Sequence, residues 1–280
     1  MCNGRLIIFL YFLIFTSGAS FAQTAADSVA FNAHVWKTTI LAKGVVWKQA
    51  HFTDLFNSEQ EINLIEINLR NTKSRLNLAA ESQRLRKTSD MAKEYDALAA
   101  INGGFFDMKK GGAVDFIQVD GKIVNHTQAP STRANALLLV SRKSLKITLA
   151  DDSSYERARY PHVLLSGPLL LQDGKEHTLL KNAFNDNRHP RTAMGITKDN
   201  RLLLLVVDGR NRQAHGMNLH ELTDVLFWLG AKDAMNLDGG GSSSLYIRGM
   251  STTGIVNHPS DNKLFDHAGE RPVANIIYIK

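Results

Sequence analysis

Short apolar runs separated by turn residues dominate the chain. Residues 61–69 alternate and are rich in Ile and Leu, and residues 134–140, 163–171, 201–207 and 273–279 are further short apolar stretches; all read as strands. Asp120-Gly121, Asp173-Gly174 and Asp199-Asn200 each sit between such stretches, as hairpin turns do. Helical spacing is confined to two places. Residues 88–95 form a short candidate with Thr88 or Ser89 as its N-cap. Residues 219–229 are stronger: Leu219, Leu222, Val225, Leu226 and Leu229 recur at helical spacing, and Gly230 follows as a natural stop. Many strands and few helices predict an α+β fold, a single domain with a large mixed or mainly antiparallel sheet. Residues 24–32 read as an entry tail and residues 181–187 as a loop.

The amino terminus follows a different pattern. Residues 6–15 are an unbroken apolar run, and Ser20-Phe21-Ala22 then offers small residues where a signal peptidase reads. The run is too short for a bilayer core of about 30 Å, so residues 1–22 read as a cleaved leader, with the cut before Gln23. This predicts an exported protein, periplasmic or secreted, with no stable membrane insertion once the leader is gone. The leader also carries Cys2, the single cysteine.

Composition narrows the chemistry. One cysteine cannot supply a zinc ribbon, an iron–sulfur site or a thioredoxin-type pair. A net charge of +6 and a pI near 9.4 raise the question of nucleic acid. The basic residues are scattered, however, with one modest cluster at Arg84, Arg86 and Lys87, and no basic helix or DNA-binding motif appears. The expected partner is an anionic small molecule rather than nucleic acid.

Three polar glycine turns carry the candidate chemistry. The first is Asn236-Leu237-Asp238-Gly239-Gly240-Gly241-Ser242-Ser243-Ser244. Three consecutive glycines let backbone N–H groups converge on an anion, and Asp238 would stand beside it. No Lys follows the glycines, so this is no Walker loop, and Ser244 stands where a dinucleotide fingerprint needs its third Gly. Neither Gly-x-Ser-x-Gly nor His-x-x-x-His occurs. The second turn is Asn102-Gly103-Gly104-Phe105-Phe106-Asp107, where Asp107 is as readily a turn cap as a functional acid. The third group joins His189-Pro190-Arg191-Thr192-Ala193 to Asp208-Gly209-Arg210. If the intervening strands form a hairpin, His189, Arg191, Asp208 and Arg210 lie at one end of it.

Together these pieces resemble the phosphodiester glycosidase family. To them add Ser166-Gly167-Pro168-Leu169-Leu170, Leu229-Gly230-Ala231 and Arg271-Pro272-Val273-Ala274-Asn275, all in the family's order. The Asn236–Ser243 run is specific and the others are jointly strong. Residues 96–280 hold the matched motifs, and residues 23–95 hold none. Residues 213–218 depart from the family's small-residue pattern and bring His215 and Met217 near the expected site.

The resemblance implies hydrolysis of a sugar-1-phosphodiester, N-acetylglucosamine-1-phosphodiester-like, at the anomeric carbon. The partner would be a phosphorylated or nucleotide-linked sugar. The leaving phosphate has a second pKa of about 6, so cationic and amide donors can stabilise it. Arg191, Arg210 and the amides of Gly239, Gly240 and Gly241 are the first candidates, joined by Ser242, with Arg133 and Arg271 behind them. Asp238 is the leading nucleophile or base, followed by Asp208 and Asp107. His189 would orient a carboxylate or bind phosphate, and Asn102 and Asn236 would hold sugar hydroxyls. No cofactor is required; a divalent cation among Asp107, Asp208 and Asp238 is compatible with the spacing but not demanded by it. Two other classes fit the sequence: a metal-dependent phosphodiesterase or phosphatase, and a non-catalytic binder of phosphorylated envelope glycans.

Overall fold

A computed structural model describes residues 18–70, 76–127, 131–150, 153–157 and 159–280. The apolar run of the expected leader lies outside the described residues. The expected cut falls within helix α1 (Gly18–Ala33). Residues 24–32 are therefore helix, not a loose tail. Phe31 and Asp27 are buried, and the Asp27 carboxylate accepts the Phe56 N–H at 3.0 Å.

The architecture is α+β, and every strand pairing among the described residues is antiparallel. Eight strands form the largest sheet, in the order Lys37–Ala42, Val45–Phe52, Gln60–Asn68, Arg201–Val207, Arg191–Thr197, Ala231–Asn236, Leu169–Gln172 and Lys175–Glu176. A five-stranded sheet runs Lys122–Asn125, Ile117–Val119, His162–Ser166, Ala136–Val140, Leu145–Leu149. A four-stranded sheet runs Leu245–Ile247, Ala99–Asn102, Asn275–Ile279, Leu76–Ala80. One apolar cluster draws on all three sheets: Leu204 and Met194 from the first, Leu138 and Leu164 from the second, Ile101 and Ile277 from the third. That shared core makes the chain one unit.

The large sheet is covered on both faces, which explains the continuous apolar run at 201–207. Leu202, Leu204 and Val206 point into the three-sheet core, while Leu203, Leu205 and Val207 face a second cluster. Phe31 of α1 and Leu219, Leu222, Val225 and Leu226 of a later helix complete that cluster. Helix α2 (Thr88–Glu94) starts without a side-chain cap from its own N-cap, Lys87. Glu270 supplies the missing acceptor, taking the Ser89 N–H at 2.9 Å and its hydroxyl at 2.6 Å. Residues 181–187 contain one helical turn, α3 (Ala183–Asp186), capped by the Asn182 side chain. Helix α4 (Leu219–Trp228) ends at Gly230 as its spacing predicts, and Asn218 and Glu221 form a capping box at its start. The Asp-Gly turns at 120–121 and 173–174 have positive φ at both residues, the geometry of tight hairpin turns.

Candidate active site

The strands Arg191–Thr197 and Arg201–Val207 do pair as a hairpin, with Arg191 opposite Val207. His189-Pro190 and Asp208-Gly209-Arg210 therefore share one end of the large sheet. Asn236 closes the neighbouring strand, opposite Ala193. The Ala99–Asn102 strand of the small sheet arrives at the same place, and Asn102 joins them. Its Nδ2 donates to the Asp238 carbonyl at 2.7 Å, while its Oδ1 accepts from the Thr192 hydroxyl at 2.7 Å and the Ser244 N–H at 3.1 Å. The Asp238 N–H donates to Gly103 O, Leu237 N–H to Thr192 O, and Gly240 N–H to Pro190 O. The backbone around Asp238 is thus fixed by three converging chain segments.

Asp238 as a residue is half-buried, and its carboxyl end lies deep. Burial pushes its pKa up; the Ser242 hydroxyl, the Gly239 N–H and the charges of Arg133 and Arg271 oppose that rise without cancelling it. A deep carboxyl with increased proton affinity is suited to proton transfer or attack on an electrophilic carbon. Around it, the Ser166, Ser243 and Ser244 hydroxyls, Asn236 Oδ1 and Asn275 Nδ2 are buried without a hydrogen-bond partner. Buried polar atoms normally find partners, so this concentration marks a place built for polar company.

The glycines are required by what lies against them. A side chain at Gly239 would strike Pro190 O, one at Gly240 would press on the Arg210 guanidinium, and one at Gly241 would overlap Asp261 and Arg271. Arg210 adopts φ of +62°, a conformation costly for a non-glycine residue, and this places its head over Gly240. It makes no ion pair among the described residues. Arg271 is paired with Asp261, Nε at 3.0 Å and Nη2 at 2.5 Å from the same oxygen. Arg133 is exposed, its guanidinium 4.3 Å above the buried Phe105 ring and 5.8 Å from Phe184. His189, half-buried between Arg191 and Arg210, has its pKa lowered by burial and by both cations.

Several expected substrate contacts have structural work instead. Arg191 is 1% exposed, and its guanidinium donates to the carbonyls of Met217 (2.8 Å), Phe184 (2.7 Å) and Asn187 (2.8 Å). Burial lowers its pKa to about 10. It braces the 184–189 segment rather than presenting its charge to a ligand. Asn102 and Asn236 are fully buried; Asn236 Nδ2 donates to Gly167 O and Leu237 O, so both amides hold backbone rather than sugar hydroxyls. The converging-amide picture of the glycine loop also changes. The Gly240 N–H is taken by Pro190 O. Asp107 caps its own turn, accepting from Lys109 N–H at 2.7 Å and Lys110 N–H at 2.9 Å, which lowers its pKa. Met217 is buried in the helix-side core, while His215 is exposed beside the Arg210 corner.

Asp208 is fully buried, and its carboxylate is nearly saturated. It accepts Asn257 Nδ2 at 2.8 Å, the His258 N–H at 3.0 Å from both oxygens, and stands 3.0 Å from His258 Nδ1. Asn257 Nδ2 also donates to Ser243 O, tying this corner to the glycine loop. His258 was not singled out in the sequence. Its only local signal is the polar turn Asn257-His258-Pro259-Ser260 ahead of the Arg271 motif, which names no chemistry. Asp107, Asp208 and Asp238 do not assemble into a three-ligand group, and no trio of His, Cys, Asp or Glu able to hold a metal occurs among the described residues.

Comparison with known proteins agrees with the placement of these motifs. A family model described as phosphodiester glycosidase matches residues 95–280. N-acetylglucosamine-1-phosphodiester α-N-acetylglucosaminidase of Bos taurus is 28% identical over 198 residues, covering 65% of this chain and 36% of that protein. The chain thus spans about a third of the length of this curated relative. An uncharacterized SPbeta prophage-derived protein, YomE of Bacillus subtilis, is 29% identical over 180 residues, covering 61% of this chain and 27% of its own length. Among solved structures, the zebrafish catalytic domain of the same N-acetylglucosaminidase, auto-inhibited by pro-peptide, superposes with a TM-score of 0.66 at 22% identity. That match covers 89% of this chain and 84% of the zebrafish domain.

Proposed function

Because the chain belongs to the phosphodiester glycosidase family, we propose that it hydrolyses the anomeric C–O bond of a sugar-1-phosphodiester and releases free sugar. N-acetylglucosamine is the proposed sugar, by analogy with the named relatives. The observation that carries the reading is Asp238: a carboxyl whose pKa is raised by burial, within the field of Arg133 and Arg271 and beside the loop that Arg210 covers. Asp238 acts at C1, as nucleophile or as base for water. Its effect depends on ionisation, so turnover rises as pH climbs through its elevated pKa.

The leaving group explains the cations. A departing phosphate monoester has a second pKa of about 6 and gathers negative charge as C1–O lengthens. In this reading Arg210, without an ion-pair partner among the described residues, and Arg133, stacked on Phe105, receive it. We further propose that residues 1–22 direct export, so that the enzyme works in the periplasm or outside the cell. Intact mass of the exported protein tests this, with Gln23 expected at its start and a full-length product opposing it.

Hydrolysis of UDP-N-acetylglucosamine or a simple sugar-1-phosphodiester in ¹⁸O-labelled water tests which bond breaks. The label is expected in the C1 hydroxyl of the released sugar. Label in phosphate would mean P–O cleavage and a phosphodiesterase. Binding without turnover across a panel of sugar phosphodiesters would mean a glycan-binding protein.

A further inference from the structure

The Asp208–His258 pair is a catalytic-grade arrangement that the reading above leaves unused. Asp208 is fully buried and holds His258 three ways, through its backbone N–H from both carboxylate oxygens and through Nδ1 at 3.0 Å. The imidazole is also clamped by stacking, 3.9 Å from Phe265 at an interplanar angle of 9° and 4.7 Å from His267 at 27°. Its side chain retains 20% exposure. A carboxylate on Nδ1 fixes the tautomer and leaves Nε2 as the working nitrogen.

The pair abuts the glycine loop. Asn257 Nδ2 bridges Asp208 Oδ1 and Ser243 O. Two residues beyond Asp208, Arg210 lies over Gly240, and Gly209 packs on Pro190, whose carbonyl holds the Gly240 N–H. One hydrogen-bonded framework therefore links the segments that carry Asp238 and His258.

We propose that His258 is the acid that meets the departing phosphate. The assignment rests on the glycosidase reading. As C1–O breaks, its electron pair goes to the phosphate oxygen, which takes the Nε2 proton of His258. Water adds at C1 with Asp238 as nucleophile or base, and the proton it releases restores the imidazolium through solvent, so the net reaction consumes one water and no other reagent. An imidazolium suits this task because the phosphate it protonates has a second pKa of about 6, close to that of imidazole.

The surroundings keep the proton in place. Burial works against the charged ring, but the hydrogen bond and charge of Asp208, with Glu61 on the Gln60–Asn68 strand and Asp266 in the 261–271 loop, raise the pKa overall. His51 sits 3.1 Å from Glu61 on the far side and His267 stacks on the ring itself. Activity should therefore fall as pH rises through the His258 pKa, opposite in sense to the Asp238 limb.

The test compares wild type with His258→Asn and His258→Gln on a sugar-1-phosphodiester and on the corresponding glycosyl fluoride, whose leaving group needs no such proton. Phosphodiester kcat/KM is expected to fall by about 10²–10⁴ and to lose its alkaline limb. Fluoride hydrolysis should stay within about tenfold of wild type, a margin well below that general-acid range. Equal losses on both substrates, or an alkaline limb that survives, overturn the role of His258 while sparing the glycosidase reading. A wild type that turns over neither substrate sinks that reading, and this assignment with it. Imidazole NMR of the wild-type protein serves even if a variant misfolds: the His258 titration must coincide with the kinetic alkaline limb, and a mismatch overturns the proposal.

Discussion

Asp208 and Asp238 stand at the two sides of one glycine loop, and their conditions are opposite. Asp208 is fully buried, yet donors occupy both its oxygens. Asp238 is buried at its carboxyl too, and there burial dominates the ionisation because the partners that oppose it do not cancel it. Depth alone therefore does not mark a reactive carboxylate. What matters is whether its lone pairs are already committed.

Substitutions can break this comparison, and the largest effect belongs to the open acid. Asp238→Asn should reduce kcat by about 10³–10⁴ while the melting transition stays close to wild type. Near-normal turnover with that variant would move the reaction centre elsewhere. Asp208→Ala should add a loss of stability, costing about 3–5 kcal/mol in denaturant unfolding because it strands His258 and Asn257. If it left stability unchanged, Asp208 would not be the framework acid that its contacts imply.

The same contrast divides the arginines. Arg191→Lys should lose about 2–3 kcal/mol, since one ammonium cannot serve three carbonyls spread along a planar fork. Arg210→Lys should leave stability within about 0.5 kcal/mol and raise KM for the phosphodiester. Interchanged outcomes would reverse their assignments.

Asp115 sharpens the comparison from a third position. It is 4% exposed, one of its oxygens has no partner, and burial, opposed by Arg133, raises its pKa from 3.8 to about 6. The stability tied to its protonated form is complete below pH 3.8 and is lost as pH rises through 6. That rise corresponds to about 3 kcal/mol, and an amide in its place gives back about 1 through its own unmet hydrogen bonds. Asp115→Asn should accordingly gain about 2 kcal/mol at pH 8 and lose about 0.5 kcal/mol at pH 4. Melting curves at the two pH values check this.

Legibility in the sequence followed locality. Helix α4 was readable because its apolar stripe repeats at helical spacing and Gly230 stops it. The hairpin end that gathers His189, Asp208 and Arg210 was readable because residues 201–207 are a continuous apolar run preceded by the Asp199-Asn200 turn. The glycine loop announced itself by composition. By contrast, Arg191 looked like a phosphate ligand because a sequence shows charge but not the path of the carbonyls that absorb it. Asn102 and Asn236 were misjudged for the same reason. The cap of α2 comes from Glu270, 181 positions away from Ser89, which no local pattern can reveal. His258 belongs to this class: its partner lies 50 positions earlier, in another motif.

Asn102 has a kinetic consequence. Its amide joins backbone and side-chain groups 136, 90 and 142 positions further along the chain. Each of those joints requires a long loop to close before any local contact rewards it, and such closures are the slow events of folding. Hairpins such as 191–207 can zip early, on sequence-local pairing alone. During refolding, strand signal should thus return before catalytic competence, with the reactive centre among the last parts of the molecule to come into being.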